Sequence, residues 1–445
     1  MNVDLYKKFL DECEYIDISN KNNALLIYDG YRIIRKYSIP KNAKTLSIND
    51  FFNEPLKKGE IKDGIIQLNF GDSFDQLLKI GDIPNSVMYL IFGSDFNQPL
   101  EIGVIPNNVK VIFFGNDFNQ PLEIGVIPDS VRTLIFGVNF NQPLKKGVIP
   151  EGVKKISFGH FFNQELKQCD IPYSVNHITI DSKINIPKSV THLTFGRSYN
   201  KSLEKGYIPN TVTHLTIGDK FNKPLKDLIP ESITHLIFGW SFDTLLNPGD
   251  IPKNVINLAF GHRYNQPLRK NVIPESVKML IFGPLFNQPL KTGDIPNSVI
   301  YLIFGHEFNQ PIQKGVIPES VKHIVFNKYF NQPLYYECIP QNIISIIFDQ
   351  NYPYLHTLNI RNNILIGLSY DNNITFTKYV KFNNINITIQ HKFLLDNYIE
   401  NNFTTNKLIG KIIFKELLEK VLHPKRLQKL NEIYNVSIIQ LLETY

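Results

Sequence analysis

Four histidines recur in one local frame, as His177-Ile178-Thr179, His192-Leu193-Thr194, His214-Leu215-Thr216 and His235-Leu236-Ile237. Imidazole titrates near neutral pH and ligates transition metals. Four copies in register could therefore hold an ion through ring nitrogens, or respond to pH because adjacent imidazolium charges repel. His192, His214 and His235 are the candidates for such a role. Against it, the frame supplies no carboxylate ligand, and duplication of a Thr-His-Leu unit at Thr191, Thr213 and Thr234 produces the same pattern as a plain polar patch. No metal and no other cofactor is expected.

Catalytic patterns are missing too. The chain contains no Gly-x-Ser-x-Gly, no glycine-rich phosphate loop, no His-Glu-x-x-His and no Cys-x-x-Cys, so an enzyme is not expected. Cys13, Cys169 and Cys338 lie far apart without metal or redox spacing, which reads as reduced thiols in a cytosolic setting. A net charge of +6 is mild, and the Lys and Arg are spread without a dense run, so a nucleic-acid partner is not indicated. No apolar run reaches the length of a membrane span, and the N-terminus lacks the charge and apolar pattern of a secretion signal.

The elements that must position these histidines follow from a repeat. Phe96-Asn97-Gln98-Pro99-Leu100, then Gly103, Ile105-Pro106, Val109, Ile112 and Phe114, returns with an unaltered FNQPL at Phe118, Phe140, Phe286 and Phe330. Weaker copies begin at Phe52, Phe74, Phe162, Tyr199, Phe221, Phe242, Tyr264 and Phe308. The Ile-Pro marker runs from Pro40 to Pro340, with Lys62 once in the Pro place. Twelve of its fourteen intervals are 22 residues, one is 21 and one is 15. Units this short cannot bury a core alone and must stack as a solenoid.

Within one unit, the Pro of Ile105-Pro106-Asn107-Asn108 is expected in the second place of a type I turn. Val109, Ile112 and Phe114 then mark a short strand, Gly115 ends it, Phe118 re-enters the core, and Leu122 and Ile127 bury the return. One strand per unit, always in the same direction, predicts a long parallel sheet. The Asn of each Phe-Asn pair is expected to form a ladder, one amide per coil, bonding backbone groups left unpaired by the arc. Two units are irregular. Between Pro172 and Pro187 the outer arm is lost, and between Pro209 and Pro230 one residue is missing, with Leu228 near the glycine place.

The pentapeptide and its Gly-x-Ile-Pro element resemble the FNIP repeat, a relative of the leucine-rich repeat known from amoebae and from giant viruses that infect them. The resemblance covers about two thirds of the chain and implies a leucine-rich-repeat-like solenoid, with its long parallel β-sheet on the concave face, used for protein binding. On such strands the residues flanking the inward-pointing apolar position face the concave side. One column then holds Tyr89, Val111, Thr133, Lys155, the four histidines, Asn257, Met279 and Tyr301. The other holds Ile91, Phe113, Ile135, Ser157, Thr179, Thr194, Thr216, Ile237, Ala259, Ile281 and Ile303. The partner-binding candidates are Tyr89, Ile91, Phe113, Ile135, His177, His192, His214, His235, Ile281, Tyr301 and Ile303.

Residues 1–40 read as a short N-terminal cap and a degenerate first coil, 41–350 as the solenoid, 351–390 as degenerate capping strands, and 391–445 as a small helical C-terminal module. The expected function is a non-catalytic, monomeric, cytoplasmic scaffold for a protein or peptide partner, in host-cell cytoplasm if the source is viral. A ubiquitin-ligase substrate adaptor and a metal- or pH-responsive binder are the alternatives.

Overall fold

The computed structural model describes residues 44–354 apart from 49, 168 and 350, together with the backbone of strands at 24–26 and between 365 and 394. The chain divides into two compact units, Met1–Lys278 and Met279–Tyr445.

Among its described residues the first unit contains twelve short strands: β1 (Ala24–Leu26), β2 (Thr45–Ser47), β3 (Gln67–Asn69), β4 (Tyr89–Ile91), β5 (Val111–Phe113), β6 (Thr133–Ile135), β7 (Lys155–Ser157), β8 (His177–Ile180), β9 (His192–Phe195), β10 (His214–Thr216), β11 (His235–Ile237) and β12 (Asn257–Ala259). Each pairs in parallel with the next, in the register of the repeat. The second unit continues the pattern with β13 (Met279–Ile281), β14 (Tyr301–Ile303), β15 (His323–Val325), β16 (Ser345–Asp349) and β17 (Leu365–Tyr370), all parallel. There the direction reverses: β18 (Asn373–Lys378) runs antiparallel to β17, and Gln390–Leu394 antiparallel to β18. Val380–Phe382 and Ile385–Ile387 form a separate two-stranded pairing. The helical period expected from His391 is therefore not realised at His391–Leu394, where sheet pairing wins over the local apolar spacing. The helix expected at residues 4–13 and the helices beyond 394 lie outside the described residues.

The coil holds together because its apolar positions converge. In one turn Val109, Ile112, Phe114, Phe118, Leu122, Val126 and Ile127 are all buried. Phenylalanines from successive coils make two parallel stacks. Phe70, Phe92, Phe114, Phe136 and Phe158 stand 5.5–5.7 Å apart between ring centroids. Phe52, Phe74, Phe96, Phe118, Phe140 and Phe162 stand 6.0–6.2 Å apart. Both spacings exceed the roughly 4.8 Å between paired strands, so coils of the first unit are wedges, thicker at the core than at the sheet.

Three details differ from the sequence reading. The turn after Ile-Pro closes from the proline carbonyl, with the Val109 N–H donating to the Pro106 oxygen at 3.1 Å and equivalent bonds from Val87, Val131 and Val277. Pro thus opens the turn instead of occupying its second place. In the coil that lacks one residue, Asp227 and not Leu228 takes the glycine place. It is left-handed at φ 58°, as Gly125 is at φ 90° and Asn271 at φ 68°. Short polar side chains that bond locally tolerate that conformation. The strand Gln390–Leu394 is the third.

The short coil is sutured by its neighbours. Asn185 Nδ2 donates to the Leu166 carbonyl and the Ser182 hydroxyl to the Phe162 carbonyl. Tyr207 stands where other coils place Val, and its hydroxyl accepts the Ile184 N–H at 3.2 Å. Lys183 pairs with Glu204 at 2.6 Å.

Candidate functional site

Each strand buries its middle residue, such as Leu90, Ile112, Leu134 and Leu193. The side-chain period of two then sends both flanking residues to the opposite face. Strand pairing aligns them into the two expected columns, since Tyr89, Val111, Thr133, Lys155 and His177 are consecutive partners, as are Ile91, Phe113, Ile135, Ser157 and Thr179.

In the first unit the columns hold two chemically distinct patches. The first is an apolar cluster in which Ile91, Val111 and Phe113 are buried, with Tyr89 and Ile135 half-buried against them. Ile91 is only 3% exposed and Phe113 8%. These side chains pack on one another, whereas Ile237, Ile281 and Ile303 at the same place on other coils are half-buried.

The second patch is the histidine ladder. Rings of His177, His192, His214 and His235 stack face to face with centroids 3.8, 4.0 and 4.0 Å apart. That spacing is smaller than the strand spacing, which identifies this face as the concave one. Thr191, Thr213 and Thr234 hold three of the rings. Their hydroxyls lie 3.2–3.3 Å from carbonyls of the preceding coil and 2.9 Å from Nδ1 of the following histidine. A hydroxyl has one proton and two lone pairs, so each threonine can bond Nδ1 in either tautomer and fixes the orientation of the ring. His177 Nδ1 instead meets Asn176 Oδ1 at 2.7 Å.

Burial first, and then repulsion from His177, His214, His235 and Lys155, pushes the His192 pKa down to about 3. His192 is therefore neutral at physiological pH, which removes it as a switch in that range. Stacked rings direct their lone pairs side by side and not toward a common point. Among the described residues no cluster of His, Cys, Asp or Glu is arranged to hold a metal ion.

The second unit carries Ile281, Tyr301 and Ile303. Tyr301 lies opposite Met279, Ile303 lies opposite Ile281, and all are half-buried. Tyr301 stacks on His323 at 4.8 Å, and His323 Nδ1 meets the Ser345 hydroxyl at 2.9 Å. The sequence reading missed the threonine relay behind the histidines. The Thr-His dipeptides carried that signal.

The Asn ladder stands on the outer side. Asn97 Oδ1 accepts the Asn119 N–H at 2.9 Å and the Gln120 amide at 3.0 Å, and Asn119 does the same for Asn141 and Gln142. Asp75 and Asp243 take this place in other coils. A second ladder went unread: the serine two residues after the Ile-Pro proline donates to a carbonyl of the previous coil, as Ser130 does to Val109 and Ser174 to Val153.

A parallel β-solenoid with two stacked aromatic columns and an amide ladder defines the chain as a leucine-rich-repeat-like protein. The model of the FNIP repeat family matches residues 52–95, 74–117, 118–161, 182–220, 221–249, 245–284 and 286–329, together more than half of the chain. The chain belongs to the FNIP repeat family. It is similar to the crystal structure of CroV588, a novel circular LRR protein, with a TM-score of 0.55 and 29% identity over 74% of this chain and 56% of that one. The chain thus spans little more than half the length of that protein. Comparison with curated proteins finds no match. Among the described residues no helix is long and apolar enough to cross a membrane.

Proposed function

We propose that the chain is a non-catalytic scaffold that binds a protein or peptide partner on the concave face of its sheet, acting as a monomer in the cytoplasm. The observation that carries this reading is the side-by-side placement, on one continuous parallel sheet, of the Tyr89–Ile135 apolar cluster and the His177–His235 ladder. The first offers the half-buried Tyr89 and Ile135, set on buried neighbours, and the second offers a row of stacked imidazoles, three of them bonded to threonine hydroxyls. Rigid, pre-packed side chains lose little entropy on binding, which favours affinity from a modest area. Repeat solenoids, whose neighbouring coils build extended concave surfaces, are suited to this use.

The test compares pull-downs from lysate with the parent and an Ile135→Glu/Ile281→Glu/Ile303→Glu variant, after circular dichroism shows that both fold. Loss of specific partners from the variant alone supports the concave site. Identical partner sets exclude it and move binding to the outer arms.

A further inference from the structure

A second surface lies on the rim where the strands of the first unit end, at the two residues following each strand-terminal glycine. Here Arg197, Lys220, Trp240 and Arg263 are exposed on successive coils. The backbone fixes their order, because Lys220 N–H donates to the Arg197 carbonyl, Ser241 N–H to Asp219, and Arg263 N–H to Trp240. Trp240 stacks on His262 with centroids 3.8 Å apart and planes within 6°, yet remains 44% exposed. The one carboxylate among the eight residues at these positions, Asp219, is paired with Arg197 at 3.3 Å.

The spacing decides which partner fits. Lys220 and Arg263 lie one coil to either side of Trp240, and the intervening place is Ser241. A nucleic-acid strand needs a continuous cationic track beneath its phosphates, and this rim alternates cation with serine. Discrete cations flanking an exposed tryptophan are the composition of a protein-interface hot spot, where Trp and Arg are enriched. A tryptophan braced by His262 reaches the interface already oriented.

We propose that this rim docks an acidic segment of a partner protein, with an apolar side chain of that segment on Trp240 and flanking carboxylates on Lys220 and Arg263. The surface is distinct from the concave face, so either assignment can fail without the other.

Trp240 is the sole tryptophan of the chain, so its emission reports this site alone. The full chain is titrated with a short synthetic peptide alternating glutamate and leucine, with its lysine–leucine counterpart, and with oligothymidylate. The expected result is a saturable shift of Trp240 emission by the glutamate peptide, weakened about tenfold or more in Lys220→Glu/Arg263→Glu and unchanged in Ile135→Glu. Both rim substitutions are at exposed positions, and circular dichroism verifies their folding. The proposal is overturned by no shift with the glutamate peptide, by an equal response to the lysine peptide, by retained affinity in the double variant, or by tighter binding of oligothymidylate.

Discussion

Asn119 Oδ1 lies 2.9 Å from the backbone nitrogen of Asn141, 22 residues further along the chain, and this bond ties one coil to the next. The same oxygen accepts the Gln142 amide at 3.1 Å. Asn119→Ala takes the acceptor from the Asn141 N–H, while the Gln142 amide keeps the Asn119 backbone carbonyl at 2.9 Å, and is expected to lower stability by about 1 kcal/mol. Asn119→Asp retains the oxygen, as Asp75 and Asp243 do elsewhere, and should lose much less. Urea denaturation of the two variants checks the difference; equal losses would show that the amide nitrogen matters instead.

Two glycine places respond oppositely to substitution. A Cβ at Gly115 would stand 1.6 Å from the Gly93 carbonyl oxygen, so Gly115→Ala must push backbones apart and should destabilise by more than about 3 kcal/mol. Gly125, at φ 90°, occupies the place that Asn271 fills in another coil. Gly125→Asn should stay within about 1 kcal/mol of the parent. Thermal melting of both variants makes the comparison.

Acid should unfold the second unit through His323. Burial, with a smaller effect from Lys322, holds its pKa down at about 3, whereas the unfolded chain has the ordinary value near 6.5. Between those values the unfolded state binds more protons. Stability is therefore intact above pH 6.5 and is lost as pH falls toward 3, with a decrease on the order of 3 kcal/mol by pH 4 from this residue. Denaturant midpoints measured from pH 7 to 4 should fall, and the slope should flatten in His323→Asn. A parent profile without that fall rules the mechanism out. His192 acts in the same direction in the first unit.

The short coil depends on a hydroxyl supplied by its neighbour. Tyr207→Phe removes the acceptor of the Ile184 N–H and should weaken the first unit by about 1 kcal/mol. Hydrogen exchange should lose protection at Ile184 while the Val109 amide, held by Pro106, keeps its own. Unchanged exchange at Ile184 would mean that the notch is held by Asn185 and Ser182 alone.

Much of the solenoid was legible because a repeat of 22 residues imposes its own geometry. The Ile-Pro marker set the strand register, so His192 opposite His214 and Ile91 opposite Phe113 followed from spacing alone. The stacked phenylalanines and the Asn ladder followed for the same reason, since identical residues at equal intervals on parallel coils must meet.

What escaped the sequence depends on distances perpendicular to the strands. The wedge of the coils, 3.8–4.0 Å between rings on the concave side against 5.5–6.2 Å in the phenylalanine columns of the first unit, is set by aromatic packing. Ile91 and Phe113 are buried, where alternation alone would leave them facing solvent. Asp227 and not Leu228 holds the left-handed place, three residues before Pro230 as Gly125 stands three before Pro128. Gln390–Leu394 became a strand because β18 offered an unpaired edge, a long-range term that outweighs local period. The sequence by itself determined the repeat, the strand direction and the columns. Tertiary packing decided how much of each column meets solvent, and brought Lys220, Trp240 and Arg263, scattered at about one per coil along the chain, onto one rim.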